Sequence, residues 1–435
     1  MRGPDGELER SGINVDSVLE LVTHSGFKYP LRCTRDSRMN WLEWVRLCKA
    51  DLCVALFLSQ LHNLEYYSMT TTENSRYWVS VLSLFRRVLC NETPCMSMAR
   101  FEKLKSVDID NNMQSTPTNR LVGRDKYSEF STKYALYLPS LTSLRGTLSK
   151  PFGHSRQRFC WPVETAPAVP LASMLTNLSL RGTNITFSHL EAFLRVTPSL
   201  TRFDYEIVRY VDDLNVERFY CKSLIKALKL VAGSLQSLRL STRFEMGRTE
   251  GRDFKALYGR KDLDIRGNTS FRGFSRLDKL EIPIILLLGS SSHECSKIID
   301  QLPQSLQRLS LNDNLTLYRA FEWRSPAILK VLEKSLQSFS THTDRQHLHF
   351  LELIIRDSSE NPFRGKSHFY VKPEMKDLPY AWDDWDLQTQ KMFHKICANA
   401  GLRSQFRRRP LDVFGFQTVF DDDWVSRTNP RGWLL

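Results

Sequence analysis

An α/β solenoid with parallel strands on a concave face and helices outside is the fold class this sequence predicts, and three observations predict it. A hexapeptide of the form Leu-x-x-Leu-x-Leu returns through most of the chain, stretches of helical period precede several copies, and the positions between its leucines are mostly polar. A short unit that cannot bury its own apolar edge must stack on its neighbours, so repetition of this kind dictates an architecture.

The hexapeptide is cleanest at Leu235-Gln-Ser-Leu238-Arg-Leu240 and Leu306-Gln-Arg-Leu309-Ser-Leu311. Accepting other apolar residues at its second and third places brings in Leu61/Leu64/Tyr66, Leu104/Val107/Ile109, Leu175/Leu178/Leu180, Leu200/Phe203/Tyr205, Leu277/Leu280/Ile282 and Leu348/Leu351/Leu353. Two further copies lose the third apolar residue, Leu141/Leu144 before Gly146 and Leu336/Phe339 before Thr341. Leu336 precedes Leu348 by only 12 residues, too few for a repeat, and reads as an extra strand or a coincidence.

Residues i and i+2 of an extended segment share a face. Leu238 and Leu240 therefore point inward together, while Ser237, Arg239 and Ser241 face the other way. The middle position of successive copies gives an outward row of Glu65, Asp108, Arg145, Ser179, Asp204, Arg239, Glu281, Ser310 and Glu352. Its signs are mixed, which suits a protein ligand better than a phosphate backbone.

Helices fill the intervals. Leu190, Phe193 and Leu194 share a stripe with Ser188 and Glu191 spaced as a capping box and Pro198 at its end. Leu224, Leu228 and Val231 form a second stripe closing at Gly233, and Cys295, Ile298, Ile299 and Leu302 a third closing at Pro303. Ile328, Leu329 and Leu332 form a fourth, with Ser325 and Pro326 at its cap and first position. Near the start, Trp44, Val45, Cys48 and Leu52 recur at helical spacing, as do Trp78, Leu82, Phe85 and Leu89.

Three regions follow from this pattern: a polar arm over residues 1–40, an irregular repeat array over 41–357, and a closing segment and tail over 358–435. Within the last, a helix containing Phe393, Ile396 and Cys397 ends at Gly401, and Val413 to Phe416 reads as an extended run. Two insertions lengthen the array. The first, about 145–170, holds Lys150, His154, Arg156, Arg158 and Trp161 among prolines; the second, about 242–275, holds Arg243, Arg248, Arg252, Arg260, Lys261, Arg266 and Arg272 among glycines. Both read as basic loops.

The chain has 435 residues, 41% of them hydrophobic, enough for a large core without a disulfide staple or structural metal. The first thirty residues carry no apolar run of signal-peptide length, and the longest apolar stretch, Ile282 to Leu288, contains Pro283 and is too short to span a bilayer. Nine scattered cysteines suit a reducing compartment, so a cytoplasmic or nuclear location is expected. The net charge of +13 sets the usual charge of a solvated convex face against an affinity for acidic partners.

Catalytic and metal motifs fail on spacing. Gly365-Lys366-Ser367 lacks the glycine a phosphate loop needs, with Glu360 in its place; Cys90 and Cys95 have no second pair downstream. His347 and His349 flank an inward Leu348 and read as surface histidines beside His342. No catalytic residue, cofactor or metal is therefore expected.

The phrases Leu58-Ser-Gln-Leu-His-Asn-Leu64, Pro198-Ser-Leu-Thr-Arg-Phe203, Leu302-Pro-Gln-Ser-Leu-Gln-Arg-Leu309 and Ile396-Cys-Ala-Asn-Ala-Gly-Leu402 make residues 50–410 resemble leucine-rich repeat proteins, especially the fungal F-box and F-box-like class. The resemblance implies a curved solenoid that offers its concave strands to a protein substrate, and an N-terminal helix cluster that docks the adaptor of a cullin ubiquitin ligase. The sequence departs from that class in two ways. The repeat asparagine is met only by Asn112 and Asn314, and no Leu-Pro opening or F-box-like helix run stands in residues 1–50.

These readings converge on a non-enzymatic scaffold that binds a protein on its concave face through Arg145, Arg181, Arg202, Asp204, Arg239, Glu281, Arg308 and Glu352. The alternative is a nucleic-acid or chromatin-associated protein acting through the two basic loops. Neither reading involves a membrane.

Overall fold

A computed structural model of the chain describes residues 50–71, 89, 99–111, 132–148, 161, 169–170, 172–210, 219–245, 265–266, 269–289, 298–313, 323, 325–337, 347–357 and 385–410. Among them the strands are β1 (Tyr66–Thr71), β2 (Ser106–Asn111), β3 (Ser143–Gly146), β4 (Asn177–Thr183), β5 (Arg202–Tyr210), β6 (Phe219–Tyr220), β7 (Ser237–Glu245), β8 (Ile265–Arg266), β9 (Lys279–Pro283), β10 (Arg308–Asn312), β11 (Phe350–Asp357) and β12 (Arg403–Pro410). Ten of these form one sheet in the order β1-β2-β3-β4-β5-β7-β9-β10-β11-β12, parallel throughout, and β6 pairs with β8 separately. Spatial order thus follows chain order. Parallel neighbours demand a crossover, and the residues between strands supply it.

The register confirms the alternation. Val107, Leu144, Leu178, Phe203, Leu238, Leu280, Leu309 and Leu351 align across the sheet, and Ile109, Leu180, Tyr205, Leu240, Ile282, Leu311 and Leu353 form a second row two residues on; all are buried. Three copies of the hexapeptide need correction. In the first, Tyr67 and Met69 are buried while Tyr66 is 50% exposed, so the phase is Leu64/Tyr67/Met69, and Leu61 opens the preceding turn. The copy ending in Gly146 is a full strand. A Cβ at Gly146 would lie 2.5 Å from Thr132 Oγ1, so the threonine occupies the space a leucine fills elsewhere. Leu336 lies within a helix and belongs to no strand.

A hydrogen-bond pattern repeats at the start of each strand. The carbonyl of Glu65 accepts from the amides of both Lys105 and Ser106; Lys105 O then accepts from Thr142 and Ser143, Thr142 O from Thr176 and Asn177, and Thr176 O from Thr201 and Arg202. The series continues through Thr201, Gln236, Asp278 and Gln307, and His349 O receives Arg403 N. The hydroxyls of Thr142, Thr176 and Thr201 each add a bond to the preceding carbonyl. Each unit is thereby tied to the one before it at the same phase. Where the ladder is interrupted, a side chain substitutes: Pro283 has no N–H to offer β7, and Asn312 Nδ2 reaches across from β10 to Leu240 O at 3.2 Å.

Helix α1 (Ala50–Ser59) precedes β1, and helices α2 (Phe187–Leu194), α3 (Cys221–Leu228), α4 (Ile284–Leu288), α5 (Ile298–Gln301), α6 (Ser325–Gln337) and α7 (Leu387–Asn399) lie between the strands. Those with close neighbours pack in sequence order, α2 on α3, α4 on α5, α5 on α6 and α6 on α7. The expected stripes are buried: Leu190, Phe193 and Leu194 in α2, Leu224 and Leu228 in α3, Ile298 and Ile299 in α5, Ile328, Leu329 and Leu332 in α6, and Phe393, Ile396 and Cys397 in α7. The cap of α2 differs from the sequence reading. Thr186, two residues before Ser188, accepts the His189 amide, because Glu191 is drawn instead to Arg195 at 3.1 Å and Lys226 at 3.0 Å.

The helix expected around residues 76–89 (apart from the helical, half-buried Leu89), the run at 413–416, Asn112, Asn314, Gly365 to Ser367, Cys90, Cys95, Cys295 and His342 lie outside the described residues. So do the basic residues expected in the two loops, except Arg243 and Arg266, which fall in strands β7 and β8, and Arg272, in the turn before β9, which pairs with Asp300. Trp161 sits half-buried against Phe193, with ring centroids 6.3 Å apart.

Candidate functional site

The face of the sheet opposite the leucines carries the candidate site. Pairing brings Ser68, Asp108, Arg145, Ser179, Asp204, Arg239, Glu281, Ser310, Glu352 and Gln405 into one row across all ten strands. Ser68 replaces Glu65, which precedes β1 and pairs with Lys105 at 3.1 Å. A second row, two residues earlier, contains Arg202, Lys279, Arg308, Phe350 and Arg403.

Charges in the main row meet across strands. Arg145 Nη1 lies 3.3 Å from Asp108 Oδ2, and Arg239 reaches both Asp204 (Nη1, 3.7 Å) and Glu281 (Nε, 3.3 Å). Ser179 Oγ stands 3.5 Å from Asp204 Oδ2. Half-buried pairs of this kind contribute little stability, roughly 0–1 kcal/mol each, but cancel one another's field. The middle of the face is therefore electrically balanced.

Arg181 reaches this group through an irregularity. Leu180 pairs with Tyr205 but Thr183 with Ile207, so β4 holds one residue more than β5 over that span. Gly182 takes φ 57, the left-handed region that glycine enters without a Cβ penalty, and its N–H donates to Glu206 Oε2 at 2.8 Å. Burial and the neighbouring Arg145 both lower the Arg181 pKa, with Arg239 adding to the shift and Asp204 and Glu206 opposing it.

Toward β12 the arrangement changes. Glu352 is 1% exposed although it stands on the open face, and three donors surround its carboxylate. Ser310 Oγ donates to Oε2 at 2.6 Å and Arg308 Nη2 at 3.0 Å, while Arg407 Nε lies 3.1 Å from Oε1, off the axis of a hydrogen bond. Both arginine side chains remain 42% exposed, and the Arg308 guanidinium lies over the Phe350 ring, 4.5 Å from its centroid.

All eight residues expected at the site fall on this face. Arg145, Asp204, Arg239, Glu281 and Glu352 stand in the main row, Arg202 and Arg308 in the row before it, and Arg181 at the bulge. Sequence reasoning missed Lys279, Arg403 and Arg407. Extending the row of Arg202 and Arg308 back by the strand period finds Lys279; the two arginines required recognising β12 as a strand of the same sheet.

His347 and His349 are exposed in the turn before β11. Among the described residues no group of three His, Cys, Asp or Glu side chains stands close enough to hold a metal ion, and no helix is long and apolar enough to cross a membrane. No family model matches the sequence, and no curated protein matches it.

Proposed function

We propose that the protein is a non-enzymatic recognition scaffold, a leucine-rich repeat solenoid that binds a protein partner on the concave face of its sheet. The observation that carries this reading is the polar row running unbroken across ten parallel strands whose opposite face is sealed by leucines. The carbonyl ladder supports the solenoid reading because it joins equivalent points of successive units. Such a surface offers shape and alternating charge over a wide area, the means by which protein interfaces gain specificity. A role in delivering substrates to a cullin ubiquitin ligase, in the cytoplasm or nucleus, is the narrower form of the proposal.

Affinity capture with the full chain tests it. Arg202→Glu combined with Arg308→Glu should release a set of partners that Glu333→Lys and Lys334→Glu on the exposed side of α6 retain. Retention of every partner by the open-face variant would refute the assignment. Co-purification of the cullin adaptor tests the ligase role, which falls if the adaptor is absent. Were the captured material nucleic acid, its retention would fall steeply with salt through counterion release, and the alternative reading would replace this one.

A further inference from the structure

The charges of the open face are not evenly neutralised. From β2 to β7, Arg145, Arg181, Arg202 and Arg239 stand among Asp108, Asp204 and Glu206, and Arg239 reaches both Asp204 and, on β9, Glu281. In β9 to β12, Lys279, Arg308, Arg403 and Arg407 face Glu281, already engaged by Arg239, and Glu352, buried beneath two of the arginines. The C-terminal end of the face is therefore cationic, beside a half-buried aromatic ring, Phe350.

The geometry points to this end as a docking site for a carboxylate-rich segment of a protein partner, with Arg308 and Arg407 as the receiving groups and Glu352 as the residue that positions them. This rests on reading the open face as a recognition surface and gives that surface a preferred chemistry. A guanidinium carries five N–H donors in a planar fork. Glu352 meets Arg308 at Nη2 and Arg407 at Nε, which leaves the other N–H groups of each fork for a second acceptor. Long arginine side chains ordinarily lose rotamer freedom on binding. Here one buried carboxylate, itself fixed by Ser310, holds both, and stacking on Phe350 restrains one of them further. Arg403, exposed beside Phe350 in the register, extends the cationic strip along the strand. A carboxylate arriving here meets oriented donors whose ordering preceded it.

Fluorescence anisotropy of labelled decaglutamate on the full chain, at an ionic strength of about 0.1 M, tests the proposal. Arg308→Ala and Arg407→Ala should each weaken binding about tenfold, the loss of one charge-assisted contact. Arg407→Lys on the edge strand keeps the charge and loses the fork, and should weaken binding roughly fivefold. Glu352→Gln separates positioning from simple attraction. It raises the local charge by one yet should weaken binding several-fold, because the guanidinium groups lose their anchor. Lys334→Ala, on the exposed side of α6, should change the affinity less than twofold.

Tighter or unchanged binding by Glu352→Gln in a protein of native circular dichroism, or unchanged binding by Arg407→Lys, would overturn the proposal. So would tighter binding of a single-stranded oligonucleotide through the same arginines. The two readings fail separately: if Arg202→Glu with Arg308→Glu releases captured partners while decaglutamate ignores Arg308 and Arg407, the face survives as an interface and the acidic preference does not.

Discussion

Two residues show how burial alone sets chemistry. Cys221 and Cys397 are enclosed by the helix layer, and burial pushes each thiol up to about 12. Both should resist a thiol-specific reagent at about pH 8 until the chain is unfolded, as peptide mapping by mass spectrometry would show. Above about pH 9 the unfolded chain releases a proton from each that the folded chain keeps, so stability should decline between about pH 9 and 12. Core leucines respond to volume instead: Leu309→Ala should cost about 2–5 kcal/mol in chemical denaturation, since Leu309 lies between aligned Leu280 and Leu351. At this scale the sequence was informative where side-chain period decides placement. It was silent where placement depends on a distant partner, as when Thr132 fills the space over Gly146.

Elements differ in how legibly their ends are written. The body of α2 was evident from its apolar stripe, but its cap was misplaced by two residues because Ser188 and Glu191 satisfy the capping-box spacing while Glu191 turns to Arg195 and Lys226. Thr186→Ala should therefore cost about 1 kcal/mol in thermal or denaturant unfolding, and Ser188→Ala much less. For α7, Asp386 caps the helix, and the Thr389 N–H at 2.7 Å holds its carboxyl below the usual carboxylate range. That contribution is present above the ordinary carboxylate pKa and disappears as pH falls through the lowered value. Asp386→Ala should accordingly reduce the melting temperature at neutral pH, with the difference from wild type shrinking in acid. Strand β12 escaped notice for a related reason. Its inward positions include Ser404, aligned with Leu351, whose hydroxyl meets the exposed His394 Nδ1 at 2.7 Å, so a polar residue stands where most other strands carry an apolar one.

For the whole molecule, the parallel sheet and the identity of its open face follow from one hexapeptide, because a period of two leaves each residue a single choice of side. The balance of charge on that face did not follow from the same reasoning. It depends on which strands are adjacent, and the pairing of Arg239 with both Asp204 and Glu281 joins residues far apart in the chain. Closure at the C-terminal end is also collective. Phe393, Cys397 and Phe406 pack with Trp385 on the last unit, so removing residues 385–435 should expose the apolar side of β11 and α6 and give an aggregating chain on size-exclusion chromatography.

The carbonyl ladder has a consequence for how such a chain tolerates change. It fastens each unit at one point of its phase and leaves the length of the intervening crossover free, 25 residues from Thr176 to Thr201 and 42 from Gln236 to Asp278. Insertions and deletions between the fastened points leave the strands in register, so lineages of this protein are free to drift in repeat length while keeping the same sheet. Kinship among such chains is therefore better sought in the recurrence of a bonded position than in any constant spacing.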